Sequence, residues 1–169
     1  TYNGMSGLHH REPGMVGAAM TTHGTYAEAI CDGHHLNPIA VRALVNAKGY
    51  DHTVLITDCM RAGGMPNGQY KLGDFPVVVE GGTARLMDES HSLAGSILRL
   101  FEGVKNVFDW GIVSAEEAVR MASENPARSC GIDDVCGFIR PGYDADFIVV
   151  TKDLQLEETF LGGKSVYKA

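Results

Sequence analysis

The sequence has 169 residues, of which 44% are hydrophobic and 21% charged, and its formal net charge is −7 at pH 7. This composition is typical of an ordinary globular domain and excludes a disordered chain, while the acidic balance argues against nucleic-acid binding. No apolar run reaches the roughly 18 residues of a membrane span, and the four scattered cysteines predict reduced thiols in a cytoplasmic protein.

Residues 25–58 carry the pattern of a strand, a helix and a second strand. The apolar segments 25–31 and 53–57 are the predicted strands. Asn37 and Pro38, between them, are the residue types preferred at the start of a helix, and a glycine follows the last helical residue. This order of elements is the signature of a parallel sheet or barrel.

Beyond residue 60 the pattern changes to short strands and amphipathic helices. The predicted elements are, in chain order, a loop at 61–68, two or three strands within 69–87, helices over 92–108 and 115–124, a short helix from Asn125, and strands at 146–150, 158–161 and 165–168. Apolar residues at a spacing of about 3.6 indicate the first of these helices, and a Ser114–Glu117 capping box indicates the second. Two parallel strands and a few terminal strands cannot each form a stable sheet, so we expect the C-terminal part of a larger protein.

Asp58 is the first candidate for chemistry. It directly follows the predicted strand 53–57, and catalytic residues gather at the carboxyl ends of parallel strands. A carboxylate there can act as a general base or as a metal ligand. The alternative is a helix cap or an ordinary loop carboxylate.

His34 and His35 follow the preceding strand at the equivalent position. Adjacent residues of an extended chain point to opposite faces, so we do not expect both histidines to hold one metal ion. Instead, one histidine should face the mouth of the barrel while the other packs or is solvated. The alternative is that both histidines are purely structural.

Two further groups of polar residues have weaker signals. Arg11 lies in a loop bounded by glycine, where its planar guanidinium suits a phosphate or carboxylate, although a solvated loop charge is the alternative. Cys31 and Cys59 are interpreted as buried small hydrophobic residues and not as nucleophiles.

Seven segments, in order along almost the whole chain, carry a family resemblance. They are YNGMS at 2–6, HREPG at 10–14, DGHH at 32–35, LITDCMRAGG at 55–64, LAGS at 93–96, NPAR at 125–128 and GFIRPGYDADFIV at 137–149. Together they resemble the N-acetylglucosamine-6-phosphate deacetylase family of the amidohydrolase superfamily. The spacing of HREPG, DGHH and TD is specific, whereas the PG-x-DAD tail recurs across many amidohydrolases.

The resemblance implies an α/β fold, the C-terminal part of a (β/α)8 TIM-type barrel with the C-terminal strands of a small β-sandwich domain. Residues 1–142 would be the C-terminal portion of a metal-dependent hydrolase barrel. They would hold its last two strands, a strand insertion near 69–87 and the C-terminal helices. Residues 143–169 would be the C-terminal strands of the small β domain.

The resemblance also implies a reaction, the hydrolysis of the acetamide of N-acetylglucosamine 6-phosphate to glucosamine 6-phosphate and acetate. In this family a divalent metal ion, zinc or iron, polarises the amide carbonyl and activates water. Asp58 matches the aspartate that acts as general base and then as acid to the leaving amine. The other matches are His35 as a substrate contact, Arg11 as a phosphate ligand near a homodimer interface, Asn3 and Gly4 at the phosphate end of the sugar, and Leu93, Ala94 and Gly95 on its acetyl side.

The family's metal ligands, a glutamate and two histidines, match nothing in this sequence and would precede Thr1. We therefore expect no metal ligand here apart from a contact by Asp58, and we expect the chain alone to be inactive. The expected partner is the amino-sugar phosphate, with no nucleic acid and no membrane. The alternatives are another amidohydrolase, dihydroorotase- or imidase-like, and a non-catalytic scaffold remnant.

Overall fold

The computed structural model describes residues 1–169, and its first helix, α1 (Gly14–Thr21), is not among the predicted elements. Only Val16 and Gly17 of this helix are buried. The helix has no side-chain cap and no charged residue in its first or last turn. Because the segment lacks both an amphipathic stripe and a capping signal, its sequence gives no local indication of a helix.

Two parallel strands joined by a helix confirm the predicted strand–helix–strand unit. Strand β1 (Ala27–Ile30) pairs in parallel with β2 (Thr53–Ile56), and helix α2 (Pro38–Lys48) connects them. The Asn37 side chain accepts a hydrogen bond from the backbone N–H of Ile39 at 2.9 Å and so caps α2 as predicted. The apolar face of α2 packs into the main hydrophobic core of the protein.

An antiparallel meander occupies the predicted strand region 69–87. Strands β3 (Gly68–Leu72), β4 (Phe75–Glu80) and β5 (Thr83–Leu86) pair in sequence order and are joined by two-residue turns. Val77 and Val79 alternate with more exposed neighbours on β4 and are buried in a second, smaller apolar cluster. This meander is a separate sheet from β1 and β2.

The helix predicted over 92–108 is wrong in nearly its first half, because α3 spans only Leu100–Asp109. The preceding segment, residues 92–98, forms hydrogen bonds with β5 of the meander and with residues 57–60, which follow β2. The N–H of Ala94 donates to the carbonyl of Ala84 at 2.9 Å, and Ser96 forms a parallel bridge with Cys59. Gly95 has φ +66, a left-handed conformation that cannot continue a right-handed helix.

Two helices follow α3, and the second begins one residue earlier than predicted. Helix α4 (Ala115–Ala122) has the predicted capping box, whereas α5 (Glu124–Cys130) contains Asn125 instead of being capped by it. Asn125 is fully buried, and its amide donates hydrogen bonds of 2.7 Å to the carbonyls of Tyr50 and Thr53. It therefore fastens α5 to the beginning of β2.

The C-terminal residues form a third sheet, as the sequence predicts. Strands β6 (Phe147–Val150), β7 (Leu156–Leu161) and β8 (Lys164–Lys168) are antiparallel, and Gly162–Gly163 forms the last turn. Leu154, between β6 and β7, is buried in the main core and so attaches this sheet to the rest of the chain. The structure thus confirms a mixed α/β protein, while the domain boundary at 142/143 stays a prediction. No helix combines the length and apolar character that a bilayer crossing requires.

Candidate functional site

Two aspartates lie just beyond the carboxyl ends of the parallel strands. Ile30 of β1 is paired with Ile56 of β2, and Asp32 and Asp58 each come two residues later. Parallel neighbours lie about 4.8 Å apart, so both aspartates belong to the same edge of the sheet. This edge is where open sheets and barrels place their catalytic groups.

Asp58 is exposed, and residues 92–98 hold its backbone in place. Its carbonyl accepts a hydrogen bond from the N–H of Ser96 at 2.7 Å, and the Ser96 hydroxyl donates to the carbonyl of Thr57. Asp58 has φ +50, a left-handed conformation that is uncommon outside glycine. A conformation of this kind persists only when the surroundings impose it, which the bonds from Ser96 do here.

Gly95 lies close to the backbone of Asp58. A Cβ atom added at Gly95 would lie 3.0 Å from the carbonyl oxygen of Asp58, closer than a carbon and an oxygen pack comfortably. The structure thus brings the predicted Gly95 close to Asp58, whereas the roles of Leu93 and Ala94 at the site stay predictions. The Ala94 side chain is buried in the cluster under the meander, so it is the backbone of this segment that borders Asp58.

Asp32 and His35 form a buried pair at the end of β1. The Nδ1 atom of His35 lies 2.7 Å from Oδ2 of Asp32, and the two side chains are 3% and 9% exposed. The other carboxylate oxygen of Asp32, Oδ1, accepts hydrogen bonds of 2.8 Å from the N–H groups of His34 and His35. Sequence reasoning missed Asp32, although an aspartate in a tight turn is a recognised acceptor for N–H groups two or three residues later.

The surroundings of Asp32 favour its ionised form. Burial by itself would raise the pKa of Asp32, but the hydrogen bonds from the His35 N–H, the His35 ring and the His34 N–H outweigh it and lower the pKa. Asp32 therefore remains a carboxylate at neutral pH and can only accept hydrogen bonds.

The two adjacent histidines lie in different environments, while the prediction that one of them faces the mouth of a barrel stays a prediction. His35 is buried against Asp32, whereas His34 is exposed and its Nε2 lies beside Gly82, in the turn between β4 and β5. Behind this loop, the amide of Asn106 on α3 donates to the carbonyl of Cys31 at 2.8 Å. The DGHH loop is thus hydrogen-bonded to α3 through the preceding Cys31, and its His34 lies close to the turn between β4 and β5.

The remaining predicted site residues lie elsewhere on the surface. Arg11 is exposed in the loop before α1, and its guanidinium forms no ion pair or hydrogen bond within the chain. Asn3 and Gly4 occupy an exposed turn, next to Tyr2, whose hydroxyl donates to the carbonyl of Ala40 on α2. No hydrogen bond joins these residues to Asp58 or His35, so their roles stay predictions.

The two cysteines near the strand ends differ. Cys31 is fully buried as expected, and burial is the main cause that raises the pKa of its thiol to about 12. The expectation that Cys59 is buried is wrong, because this residue is exposed in the loop after Asp58. Asp58 and Cys59 are both exposed, and the chain enters the smaller apolar cluster only at Met60.

The carboxylates and histidines are not grouped as a metal centre within this chain. No three His, Cys, Asp or Glu side chains are arranged so that they could hold a metal ion together.

Comparisons with known proteins agree on one family. The amidohydrolase family model matches residues 35–166. The N-acetylglucosamine-6-phosphate deacetylase of Vibrio furnissii is 45% identical over 168 residues, which are 99% of this chain and 41% of that relative. This chain thus spans about two fifths of the length of that relative.

A second relative has nearly the same length as this chain, and a solved structure has the same fold. This relative, from Escherichia coli K12, is named provisionally as an N-acetylgalactosamine-6-phosphate deacetylase and is 42% identical over 96% of both chains. The crystal structure of the Thermotoga maritima N-acetylglucosamine-6-phosphate deacetylase superposes with a TM-score of 0.90 at 36% identity, over 99% of this chain and 46% of that one. The family match, the sequence relatives and the shared fold place this chain in the amidohydrolase family.

Proposed function

We propose that this chain forms part of a deacetylase that hydrolyses the acetamide of N-acetylglucosamine 6-phosphate to glucosamine 6-phosphate and acetate. The observation that carries the proposal is the position of Asp58 at the carboxyl end of β2, held by Ser96 and closely bordered by Gly95. The names of the relatives support the choice of substrate.

Asp58 performs the proton transfers in this proposal. Its exposed carboxylate accepts a proton from water as the water oxygen bonds to the acetyl carbon. It then delivers that proton to the amine nitrogen as the carbon–nitrogen bond breaks. The same group serves as base and then as acid, so each turnover restores its starting state.

The metal ion of the reaction, zinc or iron, is proposed to bind ligands that lie outside these 169 residues. The support is that the chain brings no three ligating side chains together, while amidohydrolases are typically dependent on a divalent metal. The chemistry that such an ion supplies is polarisation of the amide carbonyl and activation of water. We therefore propose that residues 1–169 alone do not turn over substrate.

The substrate contacts predicted from the sequence are part of the same proposal. His35 contacts the sugar, Arg11 binds the phosphate, Asn3 and Gly4 border the phosphate end, and the backbone of 93–95 lines the acetyl side. We also propose a homodimer with Arg11 near its interface. Exposed apolar side chains on either side of Arg11 support that interface, and they are Met5, Leu8 and Met15.

The architecture belongs to the same proposal. Strands β1 and β2 are the last two strands of a (β/α)8 barrel, and residues 143–169 are a share of a small β domain. The open two-stranded parallel sheet and the separate antiparallel sheet at the C-terminus support this interpretation.

A second candidate substrate is N-acetylgalactosamine 6-phosphate. Relatives with either sugar in their names match this chain at similar identity, 45% and 42%. The two substrates differ only in the orientation of one ring hydroxyl, so kcat/KM measured on both sugars decides between them. Turnover of neither sugar, with turnover of a cyclic imide or amide, would favour a different amidohydrolase.

The substitution Asp58→Asn, in the protein expressed from its complete gene, tests the proposal. Asparagine tolerates the left-handed backbone of residue 58, so the fold should persist while the proton acceptor is lost. We expect kcat for deacetylation to fall by about 10²–10⁴-fold. The matched control is Asp74→Asn in the exposed β3–β4 turn, which should keep full activity. If Asp58→Asn deacetylated the sugar phosphate as fast as the unmodified protein, the assignment of Asp58 would be wrong.

A further inference from the structure

The Asp32–His35 pair is the most completely hydrogen-bonded ionisable group at the carboxyl edge of the sheet. Oδ1 of Asp32 accepts from two backbone N–H groups, and Oδ2 faces Nδ1 of His35 at 2.7 Å. Both carboxylate oxygens are therefore used, and they have different tasks. Oδ1 shapes the loop, while Oδ2 contacts only the imidazole ring.

This division of tasks fixes the tautomer of His35. Asp32 is a carboxylate and can only accept, so the hydrogen atom between the two side chains must reside on Nδ1. Nε2 makes no hydrogen bond within the chain, yet it is not enclosed. The only fully buried side-chain nitrogen or oxygen atom without a partner is Oδ1 of Asn125, so Nε2 retains a small exposed area although the ring as a whole is almost buried.

We infer that Asp32 is a positioning residue, which holds the His35 ring by Nδ1 and leaves Nε2 free to contact a hydroxyl group of the sugar. This inference rests on the proposed function, in which His35 contacts the substrate. A ring nitrogen that is fixed in place and lacks a protein partner has a hydrogen bond available for a ligand. The competing interpretation is that Asp32 only shapes the loop through Oδ1.

The substitution Asp32→Asn separates these two roles. Asparagine can keep its carbonyl oxygen at the Oδ1 position and retain both bonds to the backbone N–H groups. Its NH2 group would then occupy the Oδ2 position and donate to Nδ1, which forces the ring hydrogen atom onto Nε2. The loop should therefore persist while the tautomer of His35 inverts.

The first measurement is the ¹⁵N spectrum of histidine-labelled protein expressed from the complete gene, with the His35 signals assigned from a His35→Gln variant. We expect hydrogen on Nδ1 of His35 in the unmodified protein and on Nε2 in Asp32→Asn. The chain offers a matched control in Asp51→Asn, which removes the carboxylate from a looser and exposed pair, 3.3 Å from Nδ1 of His52. This control should leave His35 unchanged. The same tautomer of His35 in the unmodified protein and in Asp32→Asn would overturn the inference.

The second measurement is steady-state deacetylation. In the unmodified protein Nε2 accepts a hydrogen bond from the sugar hydroxyl, and in Asp32→Asn it carries a hydrogen atom and can no longer accept. Loss of this bond should lower kcat/KM by about ten- to a hundredfold, mainly through KM, with the thermal midpoint little changed. Unchanged kinetics in an active protein would overturn the positioning role. In contrast, an unmodified protein that turns over no amino-sugar phosphate refutes the proposed function, whatever the tautomer of His35. The two failures are therefore distinguishable.

Discussion

The contact between Gly95 and Asp58 predicts the effect of a single added methyl group. Gly95→Ala places a Cβ atom 3.0 Å from the Asp58 carbonyl oxygen, in a backbone with φ +66. The left-handed conformation costs an alanine about 1–2 kcal/mol. The close contact adds about 1–3 kcal/mol, because the neighbouring backbone is hydrogen-bonded and cannot yield freely. The sum is a loss of about 2–5 kcal/mol in the free energy of unfolding.

Gly131→Ala is the matched control. Gly131 has φ +68, almost the same conformation, but a Cβ atom added there meets nothing within 4 Å. This control should lose only the conformational cost of about 1–2 kcal/mol. The difference between the two variants therefore isolates the contact with Asp58.

Urea unfolding of both variants, in the protein from the complete gene, measures the two free energies. Deacetylation measures the second consequence, because a displaced Asp58 should lower kcat about tenfold or more in Gly95→Ala and not in Gly131→Ala. Equal losses of stability in the two variants, together with equal kcat, would refute the reasoning. Such a result would mean that the segment 92–98 yields without moving Asp58.

Two further predictions concern charges. Arg11→Ala should raise KM for the 6-phosphate sugar about tenfold or more and leave KM for the unphosphorylated sugar unchanged. The exposed control Lys71→Ala should change neither KM. Equal effects of Arg11→Ala on both sugars would contradict the phosphate role. Hydrogen bonds from Arg120 lower the pKa of Glu124 below its ordinary value of 4.5. Burial opposes this shift, and the charge of Arg128 adds to it. The stability that this carboxylate contributes is fully present above that value and is lost as pH falls through the lower, folded-state pKa, so acid unfolding should be less steep in Glu124→Gln. An unchanged acid profile would show that Glu124 contributes nothing.

Elements with local signals could be predicted from the sequence. The Asn37 cap, the Ser114–Glu117 capping box and the paired glycines at turns each act within a few residues, and the structure has α2, α4 and the hairpins where these signals indicate them. The rest could not be predicted because its partners are distant. Residues 92–98 have helix-like apolar spacing, yet their backbone groups bond to Asp58 and Ala84. Helix α1 has no local signal at all.

The candidate site divides in the same way. The rule that catalytic groups follow parallel strands selected Asp58 and the pair His34 and His35, but only the family resemblance chose His35 from the pair. The structure places Asp58 and His35 just beyond the ends of two paired strands. Asp32 was missed because its importance lies in a hydrogen bond across a turn, which periodicity does not express. The closeness of Gly95 to Asp58 could not be predicted from local pattern, since 36 residues and a separate sheet lie between them.

The two hydrogen bonds from Asn125 also have a consequence for biosynthesis. Thr53 is synthesised 72 residues before Asn125, whose amide fastens the beginning of β2. At about 5–20 residues per second, a ribosome needs roughly 4–14 s to add those residues, and the anchoring residue then still has to clear the exit tunnel. During that interval β2, the strand that precedes Asp58, lacks the stabilisation from Asn125. We therefore expect this edge of the sheet to assemble late in the folding of the nascent chain. Substitutions at Asn125 should reduce the yield of folded protein during synthesis.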